Sequence, residues 1–353
     1  MAMVNKGGPY AEVVRVIDTT VPRPAAPGGT RTVIVGELVA DDPRSVASAA
    51  ACLNSCDVAI VQHEYGIYGG LDGDQVITVL EDLKVPIIVV FHTVLASPTA
   101  RQRFVLERVG ELASEIVVMT DNARRLVETH YAIDSTKVQV IPHGVATWLE
   151  GTSAVGHDTP RVLTWGLIGP GKGLEWGISA MALLGDMVPV PEYTIVGQTH
   201  PKVLAHEGDS YRNMLQQTID DLGLRPTVTL NPRYLDSAQL AAMVSSADVV
   251  LLPYDSTDQV TSGVLVEAIA AGLPVVATAF SHAVELLAGG AGRIVEHKNP
   301  QSIADALRYV LTHPDVAHRM RAAALQSARE TSWPAVAEQY RQLAAQVLAS
   351  VAA

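Results

Sequence analysis

Two segments of the chain carry residue types suited to holding a negatively charged group. The first, residues 166–173 (GLIGPGKG), follows an apolar run and precedes a helical pattern. Its glycines allow close backbone approach, the following helix offers free N–H groups, and Lys172 adds a positive charge. The segment is not a Walker A loop, which requires Ser or Thr where Gly173 stands. It predicts a diphosphate site, although glycine-rich turns of this kind also occur for steric reasons alone.

The second segment, residues 259–268 (QVTSGVLVEA), predicts another anion site at the start of a helix. Thr261 and Ser262 are typical N-cap residues, and Gly263 opens the helix, whose first N–H groups can bind phosphate oxygens. Glu267 falls one turn into that helix, where its carboxylate could accept hydrogen bonds from ribose hydroxyls. The alternative is a capped helix with one solvated glutamate. The strongly apolar residues around Glu267 in this helix disfavour that alternative.

Histidines end three predicted strands in the first half of the chain: His63, His92 and His143. Ligands of open α/β sheets bind at the carboxyl ends of strands, so these histidines are candidates for chemistry. A single one is as readily explained by a bond to its own loop. Three together are more than chance placement predicts.

The elements that would position these residues alternate between strand and helix in two sets. Predicted strands cover residues 32–38, 56–64, 85–93, 114–120 and 137–144, then 161–168, 193–198, 227–232, 248–254, 274–280 and 292–297. Predicted helices cover 43–53, 74–83, 99–112, 122–129, 173–184, 210–222, 237–246, 263–271, 282–287, 300–311 and 333–351. This alternation predicts an α/β fold of parallel sheets with helices on both faces. The length of 353 residues favours two domains, with a linker at residues 148–160.

Composition excludes several classes of protein. The formal net charge is -12, from 25 Lys+Arg against 37 Asp+Glu, which is the wrong sign for a general nucleic-acid binder. Cys52 and Cys56 cannot build a disulfide framework, so we expect a reducing cytoplasm, and their spacing predicts one packed helix face rather than a metal site. No apolar run approaches the roughly 20 residues of a membrane span, and the start lacks a signal peptide. Peripheral membrane contact through a surface helix stays open.

Longer stretches of the chain resemble retaining glycosyltransferases of family 4, which have the GT-B fold. The resemblance is carried by LLPYDSTDQVTSGVLVEAIAAGLPVVATAFSHAVELL, GLIGPGKGLEWGISAMALL, VQHEYGIYGG, VVFHT and VQVIPHG, and covers roughly residues 33–348. It implies two facing Rossmann-like domains with parallel sheets and a cleft between them. Residues 1–150 would be the acceptor domain and residues 151–330 the nucleotide-sugar donor domain. Residues 331–353 would form a helix that crosses back to the first domain.

The resemblance also implies roles for single residues. Lys172 matches the lysine that neutralises the donor diphosphate, and Glu267 matches the second acid of an E-x7-E motif that binds the ribose. Gln259 replaces the first acid of that motif, and His92 matches the histidine near the reacting sugar carbon. The implied donor-binding set is Gly169, Lys172, Gly173, Gly197, Tyr234, Thr261, Ser262, Gly263, Val264, Leu265 and Glu267. The acceptor-side candidates are His63, Glu64, Tyr65, Gly66 and His143.

Two departures from the family pattern stand out. Leu167 occupies a position that is often arginine, so a cationic partner for the diphosphate is missing or comes from elsewhere, with Arg233 as a candidate. Since only residues 1–10 precede the segment AEVVRVID, we expect the first strand–helix unit of such enzymes to be shortened or absent here.

The resemblance therefore implies a retaining, metal-independent hexosyltransferase without a cofactor. The donor is a nucleotide sugar, with GDP-mannose favoured over UDP-glucose, and the acceptor is a saccharide or glycoconjugate. The chain shows no convincing carboxylate nucleophile and no D-x-D metal motif, which disfavours a two-carboxylate glycosidase. The alternatives are a GT-B nucleotide-sugar epimerase and a non-catalytic nucleotide-sugar-binding protein.

Overall fold

A computed structural model describes residues 12–17, 33–145, 158–256 and 262–352 of the chain. The described residues form two compact units. One contains those up to Gly144 together with those from Trp333 onward, and the other runs from Val145 to Ser332. Most of the predicted linker lies outside the described residues.

The N-terminal unit contains six parallel strands in two sheets. Strands β1 (Glu12–Ile17) and β2 (Val33–Val39) pair with each other, while β3 (Ala59–His63), β4 (Ile87–Phe91), β5 (Glu115–Val118) and β6 (Val138–Val140) form a four-stranded sheet in that order. All five residues of β4 are buried, as expected for an inner strand of a parallel sheet. Within the described part of the unit, the β1–β2 pair and the four-stranded sheet are separate sheets. The predicted shortened first strand–helix unit falls on residues 1–11, which lie outside the described residues.

The first four helices of this unit are α1 (Pro43–Leu53), α2 (Gln75–Glu81), α3 (Ala100–Leu112) and α4 (Asp121–His130). Three of these four, α1, α3 and α4, begin after an N-cap residue whose side chain accepts a hydrogen bond from a backbone N–H. Thr99 and Gln102 form a reciprocal capping box at α3, and the Thr120 hydroxyl accepts from the Ala123 N–H at α4. Short 3₁₀ turns lie at Leu71–Gly73 and Ser135–Lys137.

The C-terminal unit contains one six-stranded parallel sheet. Its strands are β7 (Arg161–Trp165), β8 (Glu192–Val196), β9 (Val228–Asn231), β10 (Val249–Leu252), β11 (Val275–Thr278) and β12 (Gly292–Val295). They lie in the order β12-β11-β10-β7-β8-β9, which is the doubly wound 3-2-1-4-5-6 arrangement counted from β7. Strands β8 and β9 lie on one side of β7, and β10, β11 and β12 lie on the other, so the strand order reverses between β7 and β10. Ligands of such sheets bind at that point.

The helices of the C-terminal unit connect these strands. They are α5 (Leu174–Ala182), α6 (Pro201–Glu207), α7 (Ser210–Asp221), α8 (Ser237–Ser245), α9 (Gly263–Ala270), α10 (Ser281–Leu286), α11 (Pro300–Thr312) and α12 (Pro314–Glu330). The predicted elements omitted α6 and α12. The small side chains of Ala324 and Ala328 on α12 are buried against the core of the sheet that also holds α9.

The last helix, α13 (Trp333–Ala352), packs on the four-stranded sheet of the N-terminal unit. Val336, Tyr340, Leu343 and Val347 are the buried face, as the amphipathic pattern predicts, and they share a core with residues of β4 and β5. Among the described residues, no helix is both long and apolar enough to cross a bilayer.

The prediction for the two cysteines is wrong in one respect. Helix α1 ends at Leu53, so Cys56 lies beyond it and does not share a helix face with Cys52. Both thiols are free and half-buried. The i, i+4 spacing misled because Asn54 ends the helix two residues before Cys56.

Candidate functional site

The candidate residues fall into one set on each unit, and the set on the C-terminal unit begins with the loop between β7 and α5. Gly173 has a φ of +59°, and a side chain there would overlap the carbonyl oxygen of Pro253 at the end of β10. Gly197 after β8 is confined in the same way, because a side chain would overlap the carbonyl oxygen of Gly166. Only glycine therefore lets the exits of β7, β8 and β10 approach so closely.

Lys172 lies in this loop with its charge unpaired among the described residues. Its Nζ is 4.2 Å from the ring centroid of Tyr254, the ring itself being fully buried and stacked on Phe280. Burial lowers the pKa of Lys172, because the ammonium is held away from water. Trp165, Lys172 and Tyr254 line one small pocket. An anion bound here would relieve the desolvation of this cation.

Helix α9 offers the second set of donors. The Ser262 hydroxyl caps the helix by accepting from the Leu265 N–H at 3.3 Å, so Leu265, whose side chain is in the core, has its N–H occupied. Gly263 and Val264 stand in the first turn, where N–H groups lack carbonyl acceptors within the helix. The Ser262 N–H donates to His282 Nδ1 at 2.8 Å, which anchors this helix start to α10. Tyr254 and Ser262 also share a side-chain hydrogen bond, so Lys172 and α9 flank the same tyrosine.

Glu267 is not the solvated glutamate of the alternative interpretation. Its Oε2 accepts a hydrogen bond from Trp165 Nε1 at 2.8 Å across 102 residues of sequence. Burial raises the pKa of Glu267, and the indole hydrogen bond opposes that rise. Trp165 was not predicted as a site residue; the one available signal is a tryptophan at the end of a strand beside the glycine loop.

Arg212 on α7 is a cation that sequence reasoning missed. Its Nη2 donates to the Gly197 carbonyl oxygen at 2.6 Å, and its Nη1 is buried without a hydrogen-bond partner in the described part of the chain. Arg233, the predicted substitute for the missing arginine, is exposed and contacts Asn231 in its own turn. Tyr234 is 75% exposed, so it forms no wall of a closed pocket within its unit.

Gln259 and Thr261 lie outside the described residues. Gly169 lies in the glycine loop, where a side chain would approach Val203 Cγ2 at 3.2 Å without needing a left-handed backbone. The remaining donor-side candidates are at the positions given above. Their roles as donor contacts stay predictions.

The set on the N-terminal unit lies at the carboxyl ends of β3, β4 and β6. His63 is fully buried between the rings of Tyr65 and Phe91, and neither of its ring nitrogens has a partner among the described residues. The pKa of His63 is lowered to about 4, mainly because the ring is buried and also because His92 lies nearby. The pKa of His92 is also lowered to about 4, mainly by burial and also by the nearby His143. The three strand-end histidines are therefore neighbours that resist protonation together.

Further hydrogen bonds hold the strand exits around these histidines. His92 Nε2 lies 2.7 Å from Gln62 Oε1. The backbone N–H of His92 donates to the His63 carbonyl oxygen. Glu64 accepts from the Thr93 hydroxyl at 2.5 Å and from the Tyr65 N–H at 3.0 Å. Gln62 and Thr93 were not predicted as site residues.

His143 and the two remaining candidates occupy the rim of this set. His143 Nδ1 contacts its own neighbour, the Gly144 carbonyl oxygen, at 2.9 Å, and its ring is tilted against Trp333. The Tyr65 hydroxyl donates to the Gln102 carbonyl oxygen at 3.3 Å. Gly66 is exposed in the turn that follows. Within the described residues, no three His, Cys, Asp or Glu side chains are grouped as metal ligands would be.

The parallel sheets of the two units, together with the solved structures that they match, define an α/β protein of the GT-B class. Solved structures of that class match the chain over most of its length. Anabaena HepE in complex with UDP and glucose matches with a TM-score of 0.73 at 16% identity, over 90% of this chain and 87% of that one. Sucrose-phosphate synthase from Thermosynechococcus elongatus matches with a TM-score of 0.73 at 19% identity, over 95% and 88%. At these identities the similarity shows the fold.

The chain belongs to the glycosyltransferases of group 1, whose family model matches residues 151–327, just over half of the sequence. Residues 14–149 match the model of glycosyltransferase family 4, which confirms the predicted family. The D-inositol 3-phosphate glycosyltransferase of Corynebacterium glutamicum is 27% identical over 295 residues, covering 76% of this chain and 69% of that protein. The enzyme of that name from Kineococcus radiotolerans is 31% identical over 253 residues, covering 66% and 57%. The chain thus spans between half and three-quarters of the length of its relatives.

Proposed function

We propose that this glycosyltransferase moves a hexose, with retention of configuration, from a nucleoside diphosphate sugar to a hydroxyl group of a saccharide or glycoconjugate. The observation that carries the proposal is Lys172, a half-buried cation without an anionic partner in the described chain, beside a tyrosine that also contacts the start of α9. A diphosphate is the anion that both features suit. Mannose from GDP-mannose is the favoured donor, and UDP-glucose is the next.

The proposed chemistry needs stabilisation of charge on the leaving diphosphate. The bond from the anomeric carbon to the phosphate oxygen breaks with its electron pair on the diphosphate, and the acceptor oxygen forms the new bond on the same face. The acceptor proton passes to the departing phosphate. Lys172 and the free N–H groups of α9 oppose the growing negative charge, and losing one such contact typically costs about 3 kcal/mol in the barrier. We assign no metal ion or cofactor to this step.

Titration calorimetry with GDP, UDP and ADP tests the donor site first. We expect micromolar binding of one nucleotide by the wild type, and at least tenfold weaker binding by Lys172→Ala and by Glu267→Gln. Lys84→Ala and Glu207→Gln, which change exposed residues of the same types, should bind as the wild type does. Absence of binding to all three nucleotides contradicts an intact donor site.

Product analysis then separates the candidate functions. The sugar of the nucleotide that binds is offered with saccharide acceptors, and with D-inositol 3-phosphate because the relatives are named for it. Transfer with the donor's anomeric configuration, read by proton NMR, supports the proposal. Conversion of the donor into another nucleotide sugar without any acceptor indicates an epimerase. Binding without turnover indicates a non-catalytic protein.

A further inference from the structure

Gln62 makes a contact with His92 that sets the chemistry of the imidazole. Its Oε1 lies 2.7 Å from His92 Nε2, across two neighbouring strands. Both residues are fixed through the main chain, because the Gln62 carbonyl oxygen accepts from the Tyr68 hydroxyl at 2.7 Å and the His92 N–H donates to the His63 carbonyl oxygen at 3.0 Å. These main-chain bonds keep the two strand exits side by side, within reach of the side-chain contact.

An amide oxygen only accepts hydrogen bonds, so His92 Nε2 must carry a proton in this contact. A neutral imidazole has a single N–H, which leaves Nδ1 with a lone pair. No hydrogen-bond partner of Nδ1 is present among the described residues. The ring is half-buried, so Nδ1 is available to a ligand.

The groups around His92 keep it neutral. The titratable neighbours are His63, which is fully buried, and His143, whose Nδ1 contacts a carbonyl oxygen and so carries the proton there. Glu64 is the carboxylate of the neighbouring strand exit, but its two oxygens are engaged by Tyr65 and Thr93. A second proton on His92 would therefore lack a counter-charge, and burial of the ring opposes it.

We infer that Gln62 is a positioning residue that holds His92 in the Nε2–H tautomer, so that Nδ1 accepts a hydrogen bond from a sugar hydroxyl. This inference rests on the proposed function for the identity of the ligand. The tautomer itself does not depend on it. A histidine in this state orients a hydroxyl group and neither donates a proton nor supplies positive charge.

Long-range proton–nitrogen NMR of protein labelled with ¹⁵N-histidine reads the tautomer without any substrate. His92→Gln assigns the His92 signal. We expect the wild type to show protonated Nε2 and unprotonated Nδ1 at His92, and Gln62→Leu to lose that preference. The His143 signal, with its proton on Nδ1, should stay unchanged and serves as the internal control. Protonated Nδ1 at His92 in the wild type, or an unchanged tautomer in Gln62→Leu, overturns the inference.

Gln62→Glu supplies the second readout. The carboxylate should stabilise a doubly protonated His92, so its protonation moves to higher pH in the NMR titration and the acid limb of the transfer rate moves with it. In Gln62→Leu we expect kcat to fall about tenfold with nucleotide affinity unchanged. A fall in protein stability with no change of tautomer or pH profile would show a merely structural role. The expected tautomer together with no transfer from any donor would refute the proposed function alone.

Discussion

Two tryptophans of the C-terminal unit differ in whether the indole N–H has a hydrogen-bond partner among the described residues. Trp165 Nε1 donates to Glu267, whereas Trp176 Nε1 is buried with no partner in the described chain. Of these two indoles, only that of Trp165 donates to a carboxylate. Substitution of Trp176 is therefore the control for the loss of the hydrogen bond to Glu267.

We expect Trp165→Phe to weaken nucleotide binding at least tenfold, because a hydrogen bond to a charged group is worth roughly 1.5–3 kcal/mol. Burial raises the pKa of Glu267 and Trp165 lowers it, so the variant raises that pKa further. Binding should then be lost at a higher pH as the solution is acidified. Calorimetry across pH checks both effects. Trp176→Phe should bind as the wild type does, and an equal loss in both variants would contradict the assignment.

His63 leads to a prediction about stability in acid. Its pKa in the folded chain is about 4, below the ordinary value of 6.5, so the unfolded chain takes up the proton first as pH falls. The effect is absent above about pH 6.5 and destabilises the fold progressively towards pH 4, by about 3 kcal/mol when complete. His63→Leu removes it. The variant should match or exceed the wild type at pH 8, because neither ring nitrogen has a partner among the described residues.

Urea unfolding at pH 8 and pH 5 measures this change. The wild-type midpoint should fall on acidification, and the midpoint of His63→Leu should fall by less. Part of the fall should remain, since His92 also has a lowered pKa. An identical fall in both proteins would show that His63 does not control acid stability.

The elements of the C-terminal unit are joined through backbone contacts that glycine alone permits. Gly197 faces the carbonyl oxygen of Gly166, which is backbone and cannot rotate away, whereas the position of a side chain at Gly171 is open space. Both glycines have positive φ, +150° and +84° respectively. The two positions therefore differ in crowding while sharing a backbone conformation that favours glycine.

Gly197→Ala should lower the free energy of unfolding by about 3 kcal/mol or more, because the loops after β7 and β8 must separate. Gly171→Ala should cost only the left-handed strain of about 1–2 kcal/mol. Urea midpoints of the two variants and the wild type make the comparison. Similar midpoints for both variants would mean that the loops can move apart easily.

At the scale of the whole molecule, the last helix belongs to a unit whose other residues end at Gly144. Leu343 on α13 shares a core with Ile88 and Val117 of the N-terminal sheet. Leu343→Ala should therefore destabilise that unit by about 2–5 kcal/mol, the usual cost of a cavity in a core. Hydrogen exchange should accelerate at the amides of β4 and β5 and change little in β7 and β8. Leu348→Ala, which truncates a side chain that is 36% exposed, is the control.

Uniform acceleration of exchange in both units would contradict this assignment of α13. Unchanged exchange in Leu343→Ala would show that the helix contributes little to the sheet. The experiment uses the full chain, since each unit is tested within the same molecule.

Local patterns account for the elements that were predicted well. The strands from Ile87 and Val249 are runs of apolar residues buried on both faces, and the helices from Pro43 and Ala100 start at polar caps. The glycine loop around Lys172 and the three strand-end histidines were found because strand exits can be located from those same patterns. Arg212 and Trp165 were missed because each acts through a partner that is close only in the folded chain.

The amino-acid sequence alone determined the α/β class, the family, most of the strands and helices, and the residues at the strand exits. These follow from periodicity, capping and motifs that act over a few residues. Only the tertiary structure decided the order of the strands and the pairs Gln62–His92 and Trp165–Glu267. Those pairs span 30 and 102 residues of sequence. Contacts of that range depend on which strands become neighbours, and the energy that selects neighbours is the burial of whole faces, which no local pattern records.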